Sequence, residues 1–461
     1  MEILNIGKIV EITNGKLING DINQEIENFS KDTRTLKKGD IYVGIKGEKF
    51  DGNQYYKEAL RKGAIACILD INDKEKKLEE HKNIILVEDT IKALQKLAAY
   101  KRSLYDIPVI AVTGSVGKTS TKDMVASVVA QKYKVLKTEG NNNNHIGLPL
   151  TLLKLKDHTA VVIEMGMNHF GEISLLTNIA KPTACVLTNI GTSHIGNLGS
   201  RENILKAKLE ILEGMKKDGI IILNNDNDLL YKWGEENKEK YNIKSYAIKN
   251  KADYKAYNIT EKEDGSTYNV ELEGKEQTIK VPTPGTPFIY NSLCAIGVGE
   301  LLEIEEEKII KGISEMLLTK NRMEIIKTKD KITILNDSYN ASLDSVKPAL
   351  EQLKRTSGNQ KIAVLGDMLE LGEYSEELHR SVGKEVVKNE IDILITVGKE
   401  AENIADEARL EGMNEKAIYI CQNIYEAENI IKMVQTAENV ILLKASNSMH
   451  FNELAQKLVT K

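Results

Sequence analysis

The stretch Ile107-Pro-Val-Ile-Ala-Val-Thr-Gly-Ser-Val-Gly-Lys-Thr-Ser-Thr121 decides how this chain is read. Val109 to Val112 form an apolar run between a proline and a threonine-glycine pair, the pattern of a buried strand. Thr113-Gly114-Ser115-Val116-Gly117 then reads as a tight loop, and Lys118-Thr119-Ser120 opens a helix. Glycines let successive N–H groups turn around a phosphate, and the helix N-terminus adds its dipole. In such a loop Lys118 sits on the β- and γ-phosphates and the Thr119 hydroxyl on Mg²⁺. The long form of this loop has a glycine five residues before Gly117, where this chain has Val112, so the match is to a shorter form, T-G-x-x-G-K-T. The competing account is a glycine-rich turn with a chance lysine. It leaves the strand before, the helix after and the paired threonines unexplained. The chain is expected to bind a nucleoside triphosphate.

Working outward, 461 residues correspond to roughly three domains of ordinary size. A 41% hydrophobic, 28% charged composition is that of a globular chain able to bury several cores. A formal charge of −5 argues against general nucleic-acid binding, and no run of apolar residues reaches membrane-spanning length. Charge runs such as Asp73–Glu80 and Glu303–Lys308 read as solvated helix faces. Cys67, Cys185, Cys294 and Cys421 stand far apart, as small core residues in a reducing compartment do. The first residues lack the basic start and apolar core of a signal peptide, so a cytoplasmic enzyme is expected.

The expected fold class is α/β in three domains. Residues 1–105 form an N-terminal α/β domain, with a turn-rich Phe29–Asp40 segment, a strand from Ile41 and a helix from Ile91 to Tyr105. Residues 106–318 carry the phosphate loop and strands at Ala160–Ile163, Ala184–Leu187 and Ile220–Leu223, alternating with helices as in a parallel sheet. Lys244 to Lys280 is expected to add antiparallel hairpins, ended by Pro282-Thr-Pro-Gly-Thr-Pro287, with a helix from Asn291 to Leu302. Residues 319–461 hold strands at Ile332–Leu335, Lys361–Leu365, Ile393–Val397 and Val440–Leu443, a second, Rossmann-like sheet.

Polar residues stand where the central strands end, the place where open α/β sheets bind ligands. Glu164 ends one such strand and is a candidate Mg²⁺ ligand; His194 follows Thr188-Asn-Ile-Gly-Thr-Ser193 at another. A lone histidine is more often structural, but the order of the segments adds weight. T-G-S-V-G-K-T-S, then Gly140-Asn-Asn-Asn-Asn-His-Ile-Gly-Leu-Pro-Leu-Thr151, Glu164-Met-Gly-Met and the run to His194 closely resemble the ATP-dependent Mur ligases of peptidoglycan synthesis. Asn336-Asp-Ser-Tyr-Asn-Ala341 and Leu365-Gly-Asp-Met-Leu-Glu-Leu-Gly372, followed by Ser375 and His379, extend the resemblance to the D-alanyl-D-alanine-adding members of that family. The first block is similar to a uridine-nucleotide domain through Asp32-Thr33-Arg34, Gly47 and Asp51, and the D-N-P-R signature of the diaminopimelate- and lysine-adding relatives is absent.

The resemblance implies a ligation through an acyl phosphate, with a UDP-muramoyl-tripeptide and D-alanyl-D-alanine as substrates and ATP and two Mg²⁺ ions as cofactors. Two anions meet in the first step, so neutralising charge is the main task of the site. It implies that Thr113 to Ser120 with Asn291, Arg322 and Asp337 bind ATP. Thr119, Glu164 and His194 would hold metal, joined by Lys208 if that lysine is carbamylated; an exposed helix lysine is the plainer account of Lys208. Arg322 would reach the γ-phosphate from a second domain, and a large hinge motion is expected from its separation from Lys118. Asn143 and Asn144 join Asp32, Thr33, Arg34, Gly47 and Asp51 as substrate-binding candidates. Asn291 fits an adenine-contacting position at the start of a helix, or else an N-cap. The chain departs from the family pattern at Pro287, Phe288, Asn336, Ser342, Leu343 and Asn447, which bear on adenine and dipeptide recognition. A folylpolyglutamate-type acceptor and a scaffold that has lost ligation are the alternatives. A monomer is expected.

Overall fold

The computed structural model describes residues 4–48, 50–70, 83–317 and 319–459. The charge run Asp73–Glu80 and the expected boundary at residue 318 lie outside them. In the N-terminal part, the strands Lys16–Leu17, Asn83–Val87, Ala66–Asp70, Ile41–Val43 and Phe29–Ser30 form one sheet in that order, parallel except for the first pair.

Seven parallel strands follow, in the order Tyr254–Lys255, Asn242–Ala247, Ile220–Asn224, Ala184–Leu187, Val109–Thr113, Ala160–Glu164 and Val135–Lys137. The strand before the phosphate loop is central, and Val109 to Val112 are wholly buried, as expected of an apolar run covered on both faces. The expectation of antiparallel hairpins from Lys244 holds only for its second half. Asn242–Ala247 and Tyr254–Lys255 extend the parallel sheet, and the antiparallel unit is Tyr257–Lys262, Gly265–Leu272 and Lys275–Val281. The alternation of exposed and buried residues in the antiparallel strands is that of a sheet with one wet face, which the polar composition shares with an edge strand.

The C-terminal sheet runs Glu324–Lys327, Thr333–Asn336, Val440–Lys444, Lys361–Gly366, Ile393–Val397 and Ile418–Cys421. Its first strand is antiparallel and, with the last, is not among the expected strands; each is a four-residue edge strand, too short for its apolar residues to set a period. The four cysteines are buried and none is in a disulfide among the described residues. Among the described residues no helix is long and apolar enough to cross a membrane.

The helix expected from Asn291 begins at Thr286, five residues earlier. Pro287 sits in its first turn, where the missing N–H costs nothing, so a proline cluster that looks like a terminator is the helix start. Asn291 therefore lies inside the helix and is no N-cap.

Candidate active site

The phosphate loop leaves Val109–Thr113 and turns into the helix Lys118–Val129. Gly117 takes a left-handed backbone (φ 81°) just before the first helical residue, a conformation that costs glycine least. A methyl on Gly114 would lie 1.9 Å from Thr188 Oγ1, so only glycine fits there. Asn189 pins the loop from the neighbouring strand exit. Its carbonyl accepts the Ser115 N–H at 3.0 Å, its Oδ1 the Val116 N–H at 2.9 Å, and its Nδ2 donates to the Val116 carbonyl at 3.0 Å. Lys118 Nζ lies across the loop, donating to the carbonyls of Gly114 (2.8 Å) and Ser115 (3.3 Å), and burial pulls its pKa down. Ser115 to Ser120 line a cavity of about 400 Å³. Thr113 does not: it is fully buried, and its hydroxyl donates to the Met165 carbonyl at 2.9 Å, tying two strands together.

Glu164 is the last residue of its strand and only 2% exposed. Both its oxygens are engaged: Thr119 Oγ1 donates to Oε2 at 2.8 Å and Asn143 Nδ2 to Oε1 at 2.7 Å. Asn143 thus supports a carboxylate at the phosphate loop. Asn144 lines the same cavity, with its Oδ1 taken by the N–H groups of Ile146 and Gly147 at 3.1 and 2.9 Å. Among the described residues no three His, Cys, Asp or Glu side chains form a metal cage. Thr119 Oγ1 and Glu164 Oε2, 2.8 Å apart, are hard oxygen donors of the kind that would suit Mg²⁺.

Arg322 arrives from the segment joining the two larger sheets. Its Nη2 donates to Thr119 Oγ1 at 3.1 Å, and its guanidinium carbon stands 3.7 Å from the centre of the Tyr339 ring. Asn321 and Met323 on either side both have left-handed backbone (φ 63° and 48°), a local strain that turns Arg322 towards the loop. Asp337 holds that turn, accepting the Met323 N–H at 3.1 Å through Oδ1 while Oδ2 pairs with buried Lys444 at 2.5 Å. Asn336 belongs to the same support. Its Nδ2 donates to Asn321 Oδ1 (2.9 Å) and Glu324 Oε2 (3.1 Å), where a carboxylate would face Glu324. Thr319 Oγ1 donates to buried Asp123 on the phosphate-loop helix, and Asp123 also pairs with Lys122 at 2.9 Å. Asn189 and Tyr339, inside quoted runs but given no role there, and Asp123, outside them, are supporting residues that act through partners distant in the chain.

His194 lines the cavity in left-handed backbone (φ 64°), its Nδ1 2.5 Å from Glu370 Oε2. That hydrogen bond is the main reason the Glu370 carboxyl titrates below its usual range. Lys208 is 1% exposed in the helix Arg201–Leu209, while Lys206, two residues earlier, faces solvent. The plainer account of Lys208 as an exposed lysine is therefore excluded. Burial first, and the charge of Lys118 second, push its pKa well below that of a free lysine. Asn291, 5% exposed, lines the cavity and accepts the Thr121 hydroxyl on Oδ1 at 2.7 Å.

The N-terminal candidates lie outside this cavity. Asp32 accepts Arg34 through its backbone N–H and its guanidinium, which holds the Asp32 carboxyl at about 2. The Thr33 hydroxyl donates to Glu58 at 3.0 Å. The Gly47 N–H donates to the Phe50 carbonyl at 2.9 Å, and Asp51 Oδ1 accepts the Asn53 N–H at 2.9 Å. Contacts that bring the C-terminal sheet's loops onto the central part include Thr192 N–H to Asp344 (2.8 Å), His194 to Glu370, the Gly196 N–H to the Glu370 carbonyl (3.2 Å) and the Tyr374 hydroxyl to the Gly199 carbonyl (2.7 Å).

Three family models match the chain: "Mur ligase family, catalytic domain" over residues 25–102, "Mur ligase middle domain" over 112–299 and "Mur ligase, glutamate ligase domain" over 321–447. The UDP-N-acetylmuramoyl-tripeptide–D-alanyl-D-alanine ligase of Bacillus subtilis strain 168 is 38% identical over 458 residues, 98% of each chain. A crystal structure of MurF from Acinetobacter baumannii superposes with a TM-score of 0.89 at 29% identity, covering all of both chains. The MurF ligase of Thermotoga maritima, solved with ADP, gives 0.80 at 29% identity over 93% of this chain and 96% of its own. With the phosphate loop, Glu164 and Arg322 assembled in one cavity, these likenesses show that the chain belongs to the Mur ligase family, in its branch of UDP-N-acetylmuramoyl-tripeptide–D-alanyl-D-alanine ligases.

Proposed function

We propose that this chain uses ATP to join D-alanyl-D-alanine to UDP-N-acetylmuramoyl-tripeptide, giving UDP-N-acetylmuramoyl-pentapeptide for peptidoglycan synthesis. The observation that carries the mechanism is the convergence of Lys118, Thr119, Glu164 and Arg322 from three parts of the chain. The tripeptide carboxylate attacks the γ-phosphorus of ATP, forming a P–O bond as the bond to ADP breaks. The amine of D-alanyl-D-alanine then attacks the acyl carbon, loses a proton and expels phosphate. Lys118 and Arg322 offset the charge that builds where two anions meet, and Arg322 does so only while the hinge segment holds it against Thr119.

Bound Mg²⁺ would neutralise phosphate oxygens as a Lewis acid, one ion on Thr119 and Glu164 and a second on His194 and a carbamylated Lys208. The donor set suits this. His194 gives Nδ1 to Glu370 and keeps Nε2 free, the way carboxylates orient metal-binding imidazoles. Burial and the charge of Lys118 both lower the pKa of Lys208, which favours the neutral amine that adds CO₂. Asn291 is left its Nδ2 for the nucleotide, its Oδ1 being held by Thr121. Asp337 acts on ATP through the Arg322 turn. Asp32, Thr33, Arg34, Gly47 and Asp51 are assigned to the uridine-nucleotide end of the substrate, in a domain ending near residue 105. A second boundary near 318, a monomeric state and a cytoplasmic setting complete the reading.

The test is phosphate release with ATP, Mg²⁺, UDP-muramoyl-tripeptide and D-alanyl-D-alanine, each omitted in turn. Release that needs all four, with the pentapeptide product identified by mass spectrometry, is expected. Release without the dipeptide, or none with either a lysine or a diaminopimelate tripeptide, would overturn the assignment.

A further inference from the structure

One wall of the cavity is apolar: Pro287 and Phe288 at the start of the helix Thr286–Leu301 face Pro348 and Ala349 on the helix Leu343–Arg355. Gln352, one turn further along the second helix, lines the cavity beside them and is 4% exposed. Its amide orientation is fixed by Thr356. The Thr356 hydroxyl donates its single proton to the Gln352 backbone carbonyl at 2.8 Å, so towards the amide it can only accept, and Nε2 donates to it at 3.3 Å. Oε1 therefore points the other way, towards Gly285, where a methyl would come within 3.6 Å of it. It is buried and has no donor. A buried carbonyl without a partner is costly, and such orphans call for an explanation.

Apolar side chains beside one buried, unpaired acceptor are complementary to an aromatic ring that carries an exocyclic N–H donor. We propose that Gln352 Oε1 reads the 6-amino group of adenine, making the enzyme select ATP over nucleotides whose base carries hydrogen or oxygen at that position. The inference rests on the ATP-dependent reading given above. It assigns base selection to the C-terminal helix, so the base is sensed only when the two walls come together. Pro287 and Phe288, which replace polar residues of the family pattern at this wall, then supply the stacking surface, and the hydrogen bond comes from the opposite side.

The experiment is calorimetric binding of ADP, purine-riboside diphosphate (hydrogen at position 6) and inosine diphosphate (oxygen there) to the full chain with Mg²⁺. ADP is expected to bind the natural chain about tenfold to a hundredfold more tightly than the other two. In Gln352→Met, which keeps the length and removes the acceptor, ADP and purine-riboside diphosphate should bind within about threefold of each other. Equal binding of the three nucleotides by the natural chain overturns the proposal without any variant. A Gln352→Met chain that keeps the natural preference also overturns it. Because binding is read without turnover, a failed ligation assay with the ADP preference intact would count against the ligase reading and leave this one standing.

Discussion

Replacing Arg322 by alanine should cost catalysis far more than nucleotide binding. The guanidinium is one hydrogen bond, 3.1 Å, from the Thr119 hydroxyl, the residue directly after Lys118 in the phosphate loop. A phosphoryl oxygen bound at this loop is taken to lie about 4 Å from that charge, the spacing of a close ion pair. At an effective dielectric of about 20, the attraction at that distance is about 4 kcal/mol. Expressed in the transition state alone, this is roughly a thousandfold in kcat, at the lower end of what an arginine brought in from another element contributes. ADP affinity should change by less than about fivefold, since Lys118 and the loop amides remain. Arg322→Lys keeps the charge but cannot stack on Tyr339 and reach Thr119 together, so a loss of about tenfold to a hundredfold is expected. Phosphate release at saturating substrates gives kcat, and calorimetry with ADP gives the ground state. If Arg322→Ala retained kcat within tenfold of the natural enzyme, the idea that interdomain approach completes the site would be wrong.

Glu164→Gln should fold, because Gln can give oxygen to Asn143 and nitrogen to Thr119, yet it should need at least about tenfold more Mg²⁺ for half-maximal activity; an unchanged Mg²⁺ titration would remove Glu164 as a ligand. Lys208→Ala should lose about a hundredfold in kcat and recover part of it with added short carboxylic acids, and the natural enzyme should lose activity when CO₂ and bicarbonate are stripped. Insensitivity to both treatments would refute carbamylation. In an NMR titration Asp32 should show a midpoint near 2, rising towards 3.8 in Arg34→Ala. Its folded pKa is depressed, so its stabilising contribution is complete above pH 3.8 and is lost as pH falls through about 2, a window where Arg34→Ala should show no further loss. ADP and substrate should favour the arrangement that makes the contacts Thr192–Asp344 and Tyr374–Gly199, with the radius of gyration falling in small-angle scattering; an identical profile with and without ADP and substrate would contradict hinge closure.

Much of this site is local chemistry, and local chemistry is written in the sequence. A strand covered on both faces must be apolar throughout, so Val109–Val112, Ala160–Ile163 and Ala184–Leu187 declare themselves. A loop that wraps a phosphate needs glycine where φ is positive and lysine at the helix start, so Gly117 and Lys118 are equally visible. Glu164 follows from its strand, because a polar residue directly after a buried run sits at the edge where ligands bind. The contacts between distant segments are a different matter. That Lys208 is buried and Lys206 exposed depends on which face of one helix meets the sheet, and apart from the resemblance of Ala207-Lys208-x-Glu210 to the family pattern nothing in the chain separates the two lysines. The direction of Tyr254–Lys255 depends on which neighbour it pairs with, since a short polar strand fits either orientation. Pro287 reads as a terminator until its place in a first helical turn is known. Arg322 shows the division most plainly: the residue can be picked out from its motif, but its charge reaches Thr119 only through two left-handed residues, Asp337 and the packing of two domains. Composition and spacing settle which groups the chain carries. Which groups touch is settled by packing, because burial and long-range hydrogen bonds are properties of the assembled molecule.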